Sequence, residues 1–203
     1  MVERQPPFAP LLPHGGEAGI AGVSRLAARA ESAEPGSLLL QYWLEADLRR
    51  LRLPPPVPGA GRADRLWTHT CFEAFIRRLD SPHYLELNFS PSGEWAAYRF
   101  ETYREGMAPA PLPQPPRLAV RCAGERLELE AEVDLRGVLA QPDRAALGPQ
   151  AGNGSLRIAL GTVVEDRDGG LSYWALRHPA GRPDFHHPDS FTLELAFPWN
   201  PAP

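Results

Sequence analysis

Cysteine is almost absent from this chain of 203 residues, which contains only Cys71 and Cys122 and no CxxC pair. The common zinc and thiol-redox motifs are therefore excluded, because both need closely spaced cysteines. A chain of this length can bury a sufficient apolar core without disulfide bonds. We expect the two thiols to be free and buried, since free cysteine usually behaves as a small apolar residue.

Long apolar runs and basic blocks are also missing. No segment reaches the roughly 18 uncharged apolar residues that a membrane-spanning helix needs. The net charge of -4 comes without a basic block, which disfavours nucleic acid and anionic membranes as partners. Residues 1–16 contain an acid, several prolines and no apolar run typical of a secretory signal. A cytoplasmic location is therefore the expectation.

The chain lacks the common catalytic and metal-binding motifs. It has no GxSxG sequence, and its glycine-rich HGGEAGIAG stretch is not followed by GK[ST]. Near the C-terminus His178, His186 and His187 occur with Asp184 and Asp189, but prolines interrupt them and the spacing matches no HExxH or CxxC-type site. We therefore predict a structured loop with hydrogen-bonded histidines and assign no metal ligands.

Proline, by contrast, is abundant, with 24 residues. Because proline lacks a backbone donor and is excluded from strand interiors, its clusters mark connections between strands. The first 36 residues are predicted to be irregular, with an edge strand as the alternative, and residues 37–203 to form one binding domain. The proline clusters lie at residues 6–13, 54–58, 109–116 and 198–203.

Between these clusters, apolar and polar residues alternate with the period of two that is typical of strands. In HYLELNFS, Leu85, Leu87 and Phe89 are predicted to face inward, with Glu86 and Asn88 on the opposite face. Glycine-bearing turns predict three antiparallel hairpins. The fold class predicted is all-β: a two-sheet antiparallel β-sandwich, jelly-roll or immunoglobulin-like, with about nine strands and little helix.

Two tryptophans and two carboxylates are the strongest candidates for a binding site. Trp67 and Trp174 offer flat apolar faces with a donor at the edge, which suits stacking on sugars or other planar ligands. Glu73 and Glu86, with Asn88, can exchange hydrogen bonds with hydroxyl groups. A carboxylate pair also suggests a glycosidase, but both residues are predicted to lie on an open sheet without a water-excluding cleft, which favours binding over catalysis.

The order of three segments carries a family resemblance. RADRLWTHTCFEAFI, YLELNFSPSGEWAAYRFETYREGM and YWALRHPAGRPDFHHPDSF together resemble the DOMON-like group related to family 9 carbohydrate-binding modules, over residues 37–197 and most clearly over 62–107. The resemblance implies a sugar-binding β-sandwich in which two tryptophans clamp the saccharide. Trp67, Trp174 and Glu73, six residues after the first tryptophan, match those positions.

Three further residues complete the predicted ligand site by face and proximity rather than by family position, namely Glu86, Asn88 and His178. Relatives in the wider DOMON superfamily bind b-type haem through methionine with histidine or lysine. The resemblance therefore also implies a haem alternative, with Met107 and a histidine such as His178 or His187 as ligands. No CxxCH sequence exists, so such a haem would be non-covalent.

The main prediction is a stand-alone, non-catalytic β-sandwich that binds a saccharide or another small polar ligand. The alternatives are a haem-binding electron-transfer domain and a protein-interaction domain without a small-molecule site. The EDRDGG turn offers Asp166 and Asp168 but lacks the other ligands of a calcium loop, so no calcium is assigned. Neither the oligomeric state nor the ligand's identity follows from these patterns.

Overall fold

The computed structural model describes residues 7–15, 22–79, 81–139 and 153–198. No helix within these ranges is long and apolar enough to cross a membrane. The strands, in chain order, are β1 (Ala9–Pro10), β2 (Leu12–Pro13), β3 (Val23–Glu34), β4 (Ser37–Ala46), β5 (Cys71–Arg78), β6 (Tyr84–Phe89), β7 (Trp95–Phe100), β8 (Ala108–Pro109), β9 (Arg117–Ala123), β10 (Arg126–Asp134), β11 (Asn153–Glu165), β12 (Leu171–Ala175) and β13 (Leu193–Pro198).

The strands form two antiparallel sheets, as the alternation predicts. One sheet has five strands in the order β1-β3-β4-β10-β9. The other has eight, in the order β2-β12-β11-β5-β6-β7-β8, with β13 also paired to β11. The all-β sandwich is therefore confirmed, and so are the three predicted hairpins β6–β7, β9–β10 and β11–β12.

The N-terminal segment contributes a long strand to the smaller sheet. In β3, small apolar residues alternate with polar ones, so Leu26, Ala28 and Ala30 all face the core. β3 pairs with β4 along almost its whole length. The turn between these strands is made by Pro35 and Gly36, whose φ of 80° is a conformation that glycine adopts without strain.

The two sheets bury one continuous apolar core between them. In β4, Leu38, Leu40, Tyr42 and Leu44 are almost fully buried and alternate with half-buried residues. This is the pattern of a sheet with one face on the core and the other towards solvent. The core side of the larger sheet is supplied by alternate residues of its own strands, including Phe72, Ala74, Ile76, Leu85, Leu87 and Phe89.

The larger sheet differs because its outer face is covered as well. In β5 and β6 nearly every residue is buried, whichever face it occupies. A second apolar cluster, which includes Phe75, Tyr98 and Phe185, lies on that outer face. The sequence-based expectation of an open sheet is therefore wrong, because Phe185 and Phe191 of the 176–191 segment pack on this face. The 101–107 segment is attached beside them by the hydrogen bond from the Arg104 backbone N–H to the Tyr84 hydroxyl.

Candidate functional site

A cavity of about 330 Å³ lies on the outer face of the larger sheet, beneath these loops. Its floor and sides come from β5, β6, β7, β11 and β12, and its walls come from the loops before β5, after β7 and after β12. The cavity combines aromatic and apolar side chains with a few ionisable ones. Its lining residues are Trp67, Glu73, Glu86, Phe100, Arg104, Met107, Val163, Tyr173, Pro183, Phe185 and His186.

Strand register brings the two carboxylates of the floor onto one face. Glu73 on β5 is opposite Asn88, and Phe75 on β5 is opposite Glu86. Residues directly opposite each other, and residues two apart along a strand, project from the same face of a sheet. Glu73 and Glu86 are therefore diagonal neighbours in the cavity floor, and each is only 4% exposed.

Glu73 is a buried carboxyl group without full hydrogen bonding. Its Oε1 atom has no hydrogen-bond partner among the described residues. Burial, followed by the nearby negative charge of Glu86, raises the pKa of Glu73 well above its usual range. Buried polar atoms are almost always paired in folded proteins, because leaving one unpaired costs free energy. An oxygen of this kind in a cavity floor is thus a position where a ligand donor gains binding energy.

Glu86 is held in place by two neighbours. The Nδ2 atom of Asn88 donates to Glu86 Oε1 at 2.7 Å, and the Nε2 atom of His186 lies 3.7 Å from Glu86 Oε2. Burial raises the pKa of Glu86 to about 7, although the hydrogen bond from Asn88 opposes this shift. Glu86 therefore changes its protonation state near neutral pH.

His186 is oriented from the opposite side by a tyrosine hydroxyl. Tyr84 Oη accepts a hydrogen bond from the backbone N–H of Arg104 at 3.1 Å and lies 2.9 Å from His186 Nδ1. Burial lowers the pKa of His186 to about 4, so the imidazole is neutral at neutral pH. Donation from the tyrosine to Nδ1 leaves the single ring proton on Nε2, which faces Glu86.

Two loops are tied together over the cavity by Asp184. Its Oδ1 accepts from Arg104 Nη2 at 2.7 Å and from the backbone N–H of His186 at 3.1 Å. Its Oδ2 accepts from the hydroxyl of Tyr103. Arg104 has a φ of 59°, an uncommon conformation for a residue with a side chain. The Asp184 contacts therefore fix the 101–107 loop in place as one wall of the cavity.

Aromatic side chains form the other walls. Trp67 lies in a short 3-10 turn, Leu66–Thr68, and packs edge-on against Tyr98 with ring centroids 5.6 Å apart. Phe185 lies directly over Gly161, where an added Cβ would be only 3.0 Å from the ring. A glycine at that position is what allows the Phe185 ring to come so close to the strand.

Trp174, predicted as the second stacking residue, lies elsewhere. It is 5% exposed and belongs to the core between the sheets, where its Nε1 donates to Ser172 Oγ at 3.0 Å. The reason is register: Trp174 is opposite Thr162, which is opposite Phe72, and that row faces the other sheet. Trp67 and Trp174 are thus on opposite faces of the same sheet.

Tyr173 takes the position in the cavity that the sequence analysis gave to Trp174. Successive residues of a strand point to opposite faces, so the neighbour of a core tryptophan faces the outer side. Tyr173 is opposite Val163 on β11, and both residues line the cavity. The structure therefore brings together Trp67, Glu73 and Glu86 from the predicted set, with Tyr173 as the further aromatic residue.

The other two predicted site residues lie beside the cavity rather than on it. Asn88 is fully buried and acts on Glu86 through the hydrogen bond described above. His178 is outside the lining, and its Nε2 pairs with the backbone oxygen of Leu12 at 2.8 Å. Its ring lies 6.2 Å from that of Phe185, so His178 supports a wall residue.

The haem ligands suggested by the sequence do not fit this site. Met107 lines the cavity and is 48% exposed, but neither His178 nor His187 is among the lining residues. The ring nitrogen Nδ1 of His187 instead accepts from the backbone N–H of Asp189 at 3.2 Å. Met107 and these two predicted histidines are therefore not presented to a common ligand position in the cavity. The histidine that does line the cavity with Met107 is His186, whose ring nitrogens face Tyr84 and Glu86.

The carboxylates of the EDRDGG turn and the two thiols have the following surroundings. No group of three or more His, Cys, Asp or Glu side chains with metal-binding geometry occurs in the described ranges. Asp166 Oδ1 accepts from the backbone N–H groups of Asp168 and Gly170, which orders the turn. Cys71 and Cys122 are both free, and Cys122 is exposed rather than buried.

Several lining residues were missed at the sequence level. Arg104, Phe185 and Pro183 lie in loops, where no periodicity shows which way a side chain points. His186 was identified within the histidine-rich stretch, but as a loop residue only. For Tyr173 a signal does exist. The period-two alternation in LSYWA means that Tyr173 and Trp174 point to opposite faces of the sheet.

Comparison with known proteins gives a fold relationship. No protein-family model matches the chain, and no curated protein matches its sequence. Among solved structures, a proposed carbohydrate-binding protein from Bacteroides uniformis matches with a TM-score of 0.65 and 16% identity, over 94% of this chain and 86% of that one.

Two further matches are family 9 carbohydrate-binding modules from Caldicellulosiruptor kristjanssonii. The cellotriose complex has a TM-score of 0.53 and 10% identity, over 96% of this chain and 84% of that one. The glucose complex has a TM-score of 0.50 and 8% identity, over 87% and 78%. At these identities the likeness establishes a shared β-sandwich fold.

Proposed function

We propose that this protein is a non-catalytic saccharide-binding β-sandwich, and that the cavity on the outer face of the larger sheet is its binding site. Trp67 and Tyr173 supply aromatic surface for the faces of a sugar ring. Glu73 and Glu86 orient the ligand through its hydroxyl groups. The cavity volume falls in the range typical of small-molecule sites.

The observation that carries this proposal is the unpartnered Oε1 of Glu73. A buried carboxyl oxygen without a donor is costly, and a ligand hydroxyl that donates to it removes that cost. The surrounding aromatic rings add apolar contact area. Carbohydrates combine both features, since their hydroxyl edges donate hydrogen bonds while their C–H faces pack on aromatic rings.

The fold relationship supports the same ligand class. Two of the similar structures hold glucose or cellotriose, and the third is described as a proposed carbohydrate-binding protein. The sequence resemblance to the DOMON-like group points in the same direction. The chemistry of the cavity in this chain and the fold comparison are independent arguments for a saccharide ligand.

Binding is favoured over glycoside hydrolysis by the placement of the carboxyl groups. Burial of Glu73 and Glu86 removes the earlier objection that a water-excluding cleft is lacking. Hydrolysis, however, needs the two carboxyl groups to flank the scissile bond. Here both rise from neighbouring strands of one floor and approach a ligand from the same side, which suits recognition of adjacent hydroxyl groups.

The proposal is tested by the substitution Trp67→Ala, with Trp174→Ala as the matched control. Calorimetric titration with glucose and cellobiose should show binding to the unmodified protein and none to the Trp67 variant, whose melting temperature should change little because Trp67 is partly exposed. Trp174→Ala should instead cost about 3 to 5 kcal/mol of stability, the usual effect of truncating a core aromatic.

Two outcomes would contradict the proposal. If Trp67→Ala destabilises the protein as much as Trp174→Ala does, Trp67 is a core residue and the stacking role fails. If the Trp67 variant stays folded and binds sugars as tightly as the unmodified protein, the cavity is not the binding site.

A further inference from the structure

Acidic groups outnumber unpaired basic groups around the cavity, which is an imbalance. Glu73 and Glu86 are buried in its floor, and the cationic side chain that lines it, Arg104, is already paired with Asp184 at 2.7 Å. His186, the remaining ionisable lining residue, has a lowered pKa and is neutral at neutral pH. The lining therefore presents two carboxyl groups without a dedicated positive partner.

From this imbalance we propose that the preferred ligand carries a protonated amine, as an amino sugar does. The inference rests on the proposed function and names the class of saccharide that the same site selects. A neutral hydroxyl donates a hydrogen bond to Glu73 Oε1 but does not stabilise the ionised form of either carboxyl group. An ammonium group supplies both the donor and the charge, and hydrogen bonds to charged groups are about twice as strong as neutral ones.

The walls of the cavity favour a cation as well. Trp67, Tyr173, Phe185 and Phe100 present aromatic rings to the same space, and ring faces attract positive charge most strongly where water is excluded. A neutral sugar gains the apolar contact from these rings without the electrostatic part. The carboxyl groups of the floor and the aromatic rings of the walls thus both favour a cationic ligand over a neutral one, although they contact different sides of it.

Binding of an amine should also release protons. Burial raises the pKa of Glu73 well above its usual range and that of Glu86 to about 7. A cation beside the two carboxyl groups lowers both pKa values, so protons leave as the ligand enters. Affinity for the amine should therefore rise with pH until the empty site is ionised or the amine itself loses its proton. The ionisable groups on the elements packed around this pair are Tyr42, Cys71, Tyr84, Tyr98, Arg104, Asp184 and His186.

The test is calorimetric titration of the full chain with glucosamine and with glucose near neutral pH, in two buffers of different ionisation enthalpy. Glucosamine should bind about tenfold more tightly than glucose or better, the difference expected of one charge-assisted hydrogen bond. It should release protons on binding, while glucose should not. N-acetylglucosamine, which lacks the charge, should lose the advantage.

Glu73→Gln removes the ionisable carboxyl group at nearly constant shape and should reduce the preference for glucosamine to near parity. Glu194→Gln, on the exposed side of β13, is the control and should keep it. Equal affinity for glucosamine and glucose, or a preference that survives in Glu73→Gln, overturns the amine inference but leaves saccharide binding intact. Binding of neither sugar overturns both.

Discussion

At the scale of single residues, burial of Glu86 in the cavity floor makes the stability of the protein depend on pH. Glu86 has a pKa of about 7 in the folded protein because burial disfavours its charged form. Its ordinary value is 4.5, so the folded state holds a proton that the unfolded state gives up. The stability that Glu86 contributes is present below about pH 4.5 and is lost as pH rises through about 7.

Glu86→Gln should therefore stabilise the protein at alkaline pH only. Well above neutrality the variant should gain roughly 2 to 3 kcal/mol in the free energy of unfolding, because no buried charge has to form. At acidic pH the two proteins should unfold alike, since Glu86 is then protonated. Urea unfolding at both pH values measures this, with Glu194→Gln as the exposed control, and an equal gain at both pH values would contradict the assignment.

At the scale of elements, Asp184 joins two loops into one cover over the cavity. Although burial opposes it, the hydrogen bonds from Arg104 and Tyr103 lower the pKa of Asp184, so it is charged at neutral pH. Arg104 is 45% exposed on its side chain, which moderates the strength of the pair. The sheet beneath does not depend on these contacts, because its strands pair with one another.

Asp184→Asn should loosen the cover and leave the sandwich intact. Loss of the Asp184 charge should lower the free energy of opening of the two loops by about 1 to 3 kcal/mol, the usual value for a hydrogen bond to a charged group. Hydrogen exchange should quicken in the 101–107 and 176–191 segments but not in β5 or β6, and ligand affinity should fall. Asp189→Asn is the control, because 60% of the Asp189 side chain is accessible, and it should change neither the exchange rates nor the affinity. Faster hydrogen exchange throughout both sheets would contradict the idea of a local cover.

The same elements show how far the sequence predicts this structure. Period-two alternation correctly predicted the faces of β6, with Leu85 and Leu87 in the core and Glu86 on the other side, because a strand offers only two directions. It could not decide the face of β12. There Tyr173 and Trp174 are adjacent aromatics, and pairing with β11 decides which one faces the core.

The loops were beyond local prediction for a different reason. The 176–191 segment has no period, and its position depends on contacts such as that between Asp184 and Arg104, which are 80 residues apart in the chain. Such contacts are set by the assembled fold. The pattern thus predicted the sheet and its two carboxylates, while the cover that makes them a cavity came only with the structure.

At the scale of the whole molecule, one side chain links the two sheets directly beneath the site. Tyr42 on β4 is 1% exposed, and its hydroxyl donates to the backbone oxygen of Glu73 on β5 at 2.8 Å. Burial raises the pKa of Tyr42 well above its usual value, so the hydroxyl keeps its proton across the accessible pH range. The smaller sheet therefore supports the strand that carries the cavity floor.

Tyr42→Phe should destabilise the whole sandwich by about 1 to 2 kcal/mol, because a buried carbonyl loses a donor. The loss should be the same at acidic and alkaline pH, in contrast to Glu86→Gln. Unfolding in urea should remain one transition by both tryptophan fluorescence and circular dichroism, since the sheets share one core. Two separate transitions would show that the sheets unfold independently.

The burial of both faces of β5 and β6 has a consequence for how such a protein can diverge. Adding or deleting one residue at the start of β5 would turn every following side chain of that strand over, sending Phe72 outward and Glu73 into the core. The same change at the start of β6 would send Leu85 outward and Glu86 into the core. Core and site would be lost in one step. These strands therefore accept substitutions more readily than changes of length, whereas a change of length in the 62–69, 101–107 or 176–191 loops leaves the strand register intact. New ligand preferences would arise first in the loops, above an unchanged floor.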